Sequence, residues 1–275
     1  MKFKLLFTFF ALLAATLAAA EKIVCTTYPV WLLTRLVVQN NNNFTVELMT
    51  PSHSGCAHGY TPLPGDLIKV KSPDTILIAN GLQLDDHLVR AAQRVNPSVK
   101  IITSSVPAQD SHTFASPNTA KLMIIKIAGE LGKIYPAHRQ TFERNCQASC
   151  ARLNGLIARA GNLSGRQCSV IVHHKLFINL ANLCGCRKVL FKHAQADSLR
   201  PADLIKLIRT ARRERIQTVL TEQHSHDPAL HKFLRESKCR AIGLDMLTGG
   251  SLQVPFDHYI NTMSRNIDKL EGSLR

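Results

Sequence analysis

Three imidazoles and one carboxylate, those of His58, His112, His174 and Asp245, form a donor set that could hold a divalent transition metal. Neutral ring nitrogens and a carboxylate oxygen suit a tetrahedral site, and four protein donors close it. A catalytic zinc instead keeps one position open for water, with a general base at hand. The chain has neither a His-Glu-x-x-His pair nor a Gly-x-Ser-x-Gly turn. The set therefore implies capture of a cation rather than turnover. With twelve histidines in the chain, a single loop histidine says little; position relative to the surrounding elements has to single these out.

Short apolar runs alternate with amphipathic stretches, which predicts an α/β fold. Strands are expected at 23–27, 46–50, 75–79 and 100–103, then at 169–173, 188–192, 218–221 and 240–244. Helices are expected at 30–38, after Pro64, and at 85–94, 201–213, 228–236 and 256–270. Between the two halves the pattern predicts one helix over 118–131 and a second from Pro136 to about Arg159, since proline suits a first helical turn. About 24 helical residues reach ~36 Å, enough to bridge two lobes. His58, His112, His174 and Asp245 each fall just past a strand, two in each half, where open α/β sheets bind ligands. The reading divides the chain into 1–20, an N-terminal lobe at 21–117, a helical segment at 118–165 and a C-terminal lobe at 166–275.

Lys2 and Lys4, the apolar run Leu5–Ala20 and the small residues Ala18-Ala19-Ala20 have the layout of a cleavable secretory signal, with cleavage expected near Ala20. The run is too short to span a bilayer, so no stable membrane insertion is expected. The formal net charge of +15 is spread along the chain rather than gathered in a patch, and export argues against a nucleic-acid partner. Eight cysteines in an oxidising compartment predict at least one disulfide, with Cys239 and the Cys184/Cys186 pair as leading candidates. Cys56 is open to metal ligation, a disulfide or simple burial, the last two ranked first. His173 should point away from His174 by strand alternation. Glu222, His224 and His226 follow a strand and could assist metal binding, although a solvated loop is the plainer reading.

Taken in order, these segments resemble the zinc- and manganese-type solute-binding proteins of ABC importers. Ile23-Val24-Cys25-Thr26-Thr27-Tyr28-Pro29-Val30 is similar to that family's first strand and turn. Gly55-Cys56-Ala57-His58-Gly59-Tyr60-Thr61-Pro62-Leu63-Pro64-Gly65-Asp66-Leu67 is similar to its first ligand loop, and Asn80-Gly81-Leu82-Gln83-Leu84 to the segment after its third strand. Asp110-Ser111-His112-Thr113-Phe114-Ala115-Ser116-Pro117-Asn118 resembles the second ligand loop, His174-Lys175-Leu176-Phe177 the third and Leu244-Asp245-Met246-Leu247 the fourth. Cys56, Phe114 and Lys175 depart from the usual residues, and 104–111 lacks the His-rich insertion of many zinc-type members.

The resemblance implies two Rossmann-like lobes joined by a long rigid helix, with one metal in the cleft on His58, His112, His174 and Asp245. It implies a periplasmic capture protein, not an enzyme, that passes its cargo to an ABC permease; a monomer is expected. Zinc is the expected cargo, because manganese-type members tend to carry a carboxylate where His174 stands; manganese and iron are the alternatives. A secreted zinc hydrolase and a metal-dependent adhesin are the competing functions. Because protonated imidazole cannot coordinate, binding should fade as pH falls through ~6.5.

Overall fold

The computed structural model describes residues 20–164, 168–191, 200–223 and 225–274. The expected signal, apart from Ala20, lies outside the described residues, as do His224 and Lys192 of the sixth expected strand. Among the described residues the strands form two four-stranded parallel sheets. The first contains β1 (Glu21–Cys25), β2 (Phe44–Leu48), β3 (Ile76–Ala79) and β4 (Lys100–Thr103), in the order β2-β1-β3-β4. The second contains β5 (Ser169–Val172), β6 (Arg187–Leu190), β7 (Thr218–Glu222) and β8 (Arg240–Leu244), in the order β6-β5-β7-β8. The halves thus repeat one topology, and the chain is built as two parallel-sheet α/β lobes.

Parallel sheets are buried on both faces, and the period-2 alternation of strands separates two cores in each lobe. In the first sheet Ile23, Cys25, Ile76 and Ile78 face a large core, while Val24 and Leu77 pack on the opposite side with Leu88 and Ala92 of α3 (Asp86–Val95). In the second, Val170, Val172, Leu220 and Leu244 face the large core. Ile171 and Val219 face outward, against α7 (Pro201–Arg213) and α8 (Pro228–Ser237). The large core is common to both sheets. It is filled by α1 (Tyr28–Val38), α4 (Pro117–Ile134), α5 (Arg139–Gly161) and α9 (His258–Ser273).

The expected long helix is present as α5, 23 residues long. Pro136 opens a 3₁₀ turn at Pro136–His138 rather than the helix itself. Phe142, Cys146, Ser149, Leu153, Leu156 and Ala160 recur every three or four residues and are buried, as a helix with one apolar stripe requires. Its first half holds the end of α1, where Asn145 Nδ2 donates to the carbonyls of Val37 and Gln39, each at 2.9 Å. Its second half holds α9 through Arg159, which pairs with Asp268 and Glu271. Other bonds cross between the halves: Tyr259 donates to the Phe114 carbonyl at 2.6 Å and Tyr28 to that of Ser251 at 2.8 Å.

The expected disulfide is present and includes Cys186, but the other leading candidates need correction. Cys186 pairs with Cys168, their Cα atoms 4.8 Å apart, while Cys184 and Cys239 are free. The sheet explains why. Each bonded cysteine immediately precedes a strand, and β5 and β6 are neighbours in the register Ser169↔Arg187. Cys239 precedes β8, two strands from β5, where its thiol donates to the Ile216 carbonyl. Closing this short loop should stabilise the fold by about 3 kcal/mol. Replacing both cysteines with serine is expected to lower the unfolding free energy by about that amount in a urea titration.

Candidate metal centre

The loop between β2 and α2 (Pro64–Ile68) is fastened beyond His58. Asp66 accepts from the Tyr60 hydroxyl at 2.5 Å and from the Leu63 N–H at 2.8 Å, and Pro64 starts the helix. The aromatic, prolines and aspartate after His58 therefore fold the loop back on itself. At its near end, a 3₁₀ turn over Ala57–Gly59 sets Cys56 Sγ 3.3 Å from His58 Nδ1. Cys56 is free, so of its three possible roles the disulfide is excluded.

His112 lies in the second loop and is 2% exposed. Its backbone N–H donates to Asp110 Oδ1 at 3.0 Å, and its ring Nδ1 contacts the same oxygen. With Nδ1–H given to a carboxylate, Nε2 is the nitrogen available to a metal, and it lies 3.3 Å from Cys56 Sγ. A carboxylate behind an imidazole fixes tautomer and aim in metal sites and raises ligand basicity. The loop is held from both lobes. Asn80 Nδ2 donates to the Ser111 carbonyl at 2.9 Å. From the other side Asn179, in α6 (Ile178–Leu183), donates to the carbonyls of Asp110 and His112 at 3.0 and 3.1 Å. Asp110→Asn should weaken metal binding by about 10–100-fold in a chelator competition.

The Asn80-Gly81 segment has a structural task next to this loop. Asp85 accepts from the Asn80 and Gly81 N–H groups at 2.7 and 2.8 Å and from Thr26 at 2.5 Å, tying the ends of β1 and β3 together. Gly81 has φ +88°, and a Cβ there would come within 2.3 Å of Thr103 Cγ2, so only glycine fits.

Ligand atoms of Cys56, His58 and His112 lie within 4.8 Å of one another, the single group of this kind among the described residues. His174 does not enter that group, although its ring centroid is 5.4 Å from that of His112. It opens a 3₁₀ turn at Lys175–Phe177, and its Nδ1 accepts the Leu176 N–H at 3.1 Å. The neutral ring then carries its proton on Nε2 and presents a donor. Coordination through Nε2 requires that proton to move to Nδ1, which ends the contact with the Leu176 N–H. Asp245 follows β8 on the second sheet and is also outside the group; its Oδ1 accepts from the Leu247 N–H at 2.9 Å. Its backbone is held by Asn266, which accepts from the Asp245 N–H at 3.1 Å and donates to its carbonyl at 2.7 Å.

Without a cation the cluster carries its own charge pair. Burial lowers the His112 pKa, but the Asp110 carboxylate and the Cys56 sulfur outweigh it and bring it to about 9. Burial raises the Cys56 thiol, and its contacts with His112 and His58 more than reverse this, to about 6. Asp110 stays below the usual carboxylate range, since the His112 hydrogen bond overcomes its burial. Burial, with His112 adding, pushes His174 down to about 4.

His173 turns away from this group: its Nε2 lies 2.9 Å from Asp227 Oδ2 and its ring packs on Phe191. His226 is exposed. Burial raises the Glu222 pKa against the pull of His173 and His112. Sequence reasoning missed Asp110 and Asn179. The Asp-x-His spacing is the only signal for Asp110, and Asn179 lies on a six-residue helix too short to show a period.

The family model for the periplasmic zinc-uptake complex component A, ZnuA, matches residues 23–273. The chain belongs to the ZnuA family. The iron-binding protein YfeA of Yersinia pestis is 25% identical over 233 residues, covering 78% of this chain and 74% of YfeA. The high-affinity zinc uptake system protein ZnuA of Bacillus subtilis is 21% identical over 281 residues, covering 92% of this chain and 87% of that protein. Among solved structures, the solute-binding protein FpvC of Pseudomonas aeruginosa with Ni2+ superposes with a TM-score of 0.79 at 22% identity, covering 91% of this chain and 95% of FpvC. ZnuA-family proteins are periplasmic or extracellular metal-binding components of ABC importers and are not enzymes. The chain is accordingly a metal-capture protein for import, with a permease as its partner.

Proposed function

We propose that the chain captures one zinc ion on His58, His112, His174 and Asp245 and releases it to the permease. Residues 21–117 then act as the N-terminal lobe and 166–275 as the C-terminal lobe, with 118–165 between them. The protein works as a monomer in the periplasm after cleavage near Ala20. The observation that carries this reading is the buried His112, its Nδ1 committed to Asp110 and its Nε2 turned to the side where Cys56 and His58 lie. His58 and His112 on the first lobe make the initial contacts. His174 leaves its Leu176 bond to join them, and Asp245 supplies the charge that a third imidazole lacks. An imidazole-rich set suits zinc better than manganese, which favours oxygen donors.

The test is metal content after purification, followed by competitive titration of the stripped protein with zinc, manganese and, anaerobically, ferrous iron. One tightly held zinc per chain is expected. His174→Glu should narrow the gap between zinc and manganese, mainly by weakening zinc. Tighter binding of manganese or iron than zinc would overturn the choice of metal.

A further inference from the structure

We infer that Cys56 is itself a ligand of the transported cation, so that the first lobe alone presents a sulfur–nitrogen–nitrogen tripod that selects zinc-like metals. This inference rests on the proposed metal-capture reading of the cleft. Its basis is geometric. In a tetrahedral zinc site with Zn–S near 2.3 Å and Zn–N near 2.0–2.1 Å, sulfur and nitrogen stand about 3.5 Å apart. Cys56 Sγ lies 3.3 Å from His58 Nδ1 and 3.3 Å from His112 Nε2. The three ligand atoms lie within 4.8 Å of one another, within reach of one cation seated between them. By contrast, His174 must first give up the backbone bond it makes here.

The sulfur is available for this role. Cys56 has no disulfide partner, and the 3₁₀ turn and the Asp66-fastened loop hold it beside both rings. Without a cation these contacts hold a proton between sulfur and imidazole, at the one nitrogen of His112 that faces away from Asp110, which is where a cation would sit. The chemistry that follows is selectivity. Thiolate is a soft donor that favours zinc, cobalt and cadmium, whereas manganese prefers oxygen. The first lobe would therefore discriminate before the second lobe contributes. Cys56 brings the donors offered to the cation to five, three of them on the first lobe, with His174 and Asp245 completing the set from the second.

Cobalt reports this directly. The stripped, reduced full chain is titrated anaerobically with Co2+, whose visible d–d bands register occupancy of a tetrahedral site. A strong near-ultraviolet charge-transfer band registers a sulfur–cobalt bond. The expected result is both signals saturating together at one Co2+ per chain. In Cys56→Ser the d–d bands should persist with the charge-transfer band gone, zinc affinity should fall by about 10–100-fold, and manganese affinity should stay within about twofold. Tetrahedral d–d bands without charge transfer in the unmodified chain would overturn the role of Cys56 while leaving the cleft a metal site. A charge-transfer band that survives Cys56→Ser would place the sulfur elsewhere and overturn it equally. Absence of any Co2+ or Zn2+ binding would refute the metal-capture reading, and the inference with it.

Discussion

His112→Ala should lower zinc affinity by at least about 100-fold, the largest loss expected from any single replacement in the chain. Structural zinc sites bind with roughly 10–16 kcal/mol shared among four ligands. One ligand is then worth about 3 kcal/mol, or a little over 100-fold. His112 should exceed that share, because its removal also strands the Asp110 carboxylate beside the site and frees the sulfur of Cys56 from one of its two contacts. His58 is exposed and not held by a carboxylate, so its loss should cost less. His138 provides the control. It contacts Asn41 and packs on Phe44, where β2 begins, away from the strand ends that carry the ligand loops. Titration against a chromophoric chelator measures all three variants, with circular dichroism to confirm folding. Unchanged affinity in His112→Ala would remove the second ligand loop from the site.

Zinc binding should strengthen by about tenfold per pH unit from about pH 7 to about pH 9, releasing one proton per cation. The sign follows from His112. Its metal-free pKa is raised to about 9, so at neutral pH the ring is protonated and a cation has to displace that proton. Above about 9 the ring is already neutral and the gain stops. Cys56, brought down to about 6, is mainly thiolate at neutral pH and adds a second displaced proton only below that value. His174, pushed down to about 4, contributes none. Calorimetry in buffers of different ionisation enthalpy counts the protons, and chelator competition gives the slope. An affinity that is flat over this range would mean that His112 is neutral before the metal arrives. The expected midpoint thus moves upward from the ~6.5 of an unperturbed imidazole, because a carboxylate and a sulfur flank the ring.

Local pattern carried most of the fold. Strands such as Lys100–Thr103 and Arg240–Leu244 coincide with their expected bounds, and the others differ by a few residues at their ends. Buried parallel strands are short continuous apolar runs with clear flanks, which is why they are legible. α6 was not, because Ile178–Leu183 spans less than two turns, too few to show a period. At the site, histidine positions after strands were visible, but contacts between distant loops were not. Nothing in the sequence says that Cys56 meets His112, 56 residues later in the chain. The partner of Cys186 was missed for the same reason: it is set by strand order, which cysteine spacing does not encode.

The core shared by both sheets bears on how cargo can leave. Leu153, Leu156, Tyr259, Met263 and Ile267 are buried within it. Parting α9 from α5 would expose five such side chains at a cost on the order of 10 kcal/mol, comparable with the roughly 5–15 kcal/mol that keeps a domain folded. Any opening that parts α5 from α9 is therefore costly. The expected route of unloading rearranges short loops one donor at a time while α9 stays packed on α5. A permease that empties this carrier would work as a pick rather than a crowbar, prising first at the exposed ring of His58 and at the short turn behind His174.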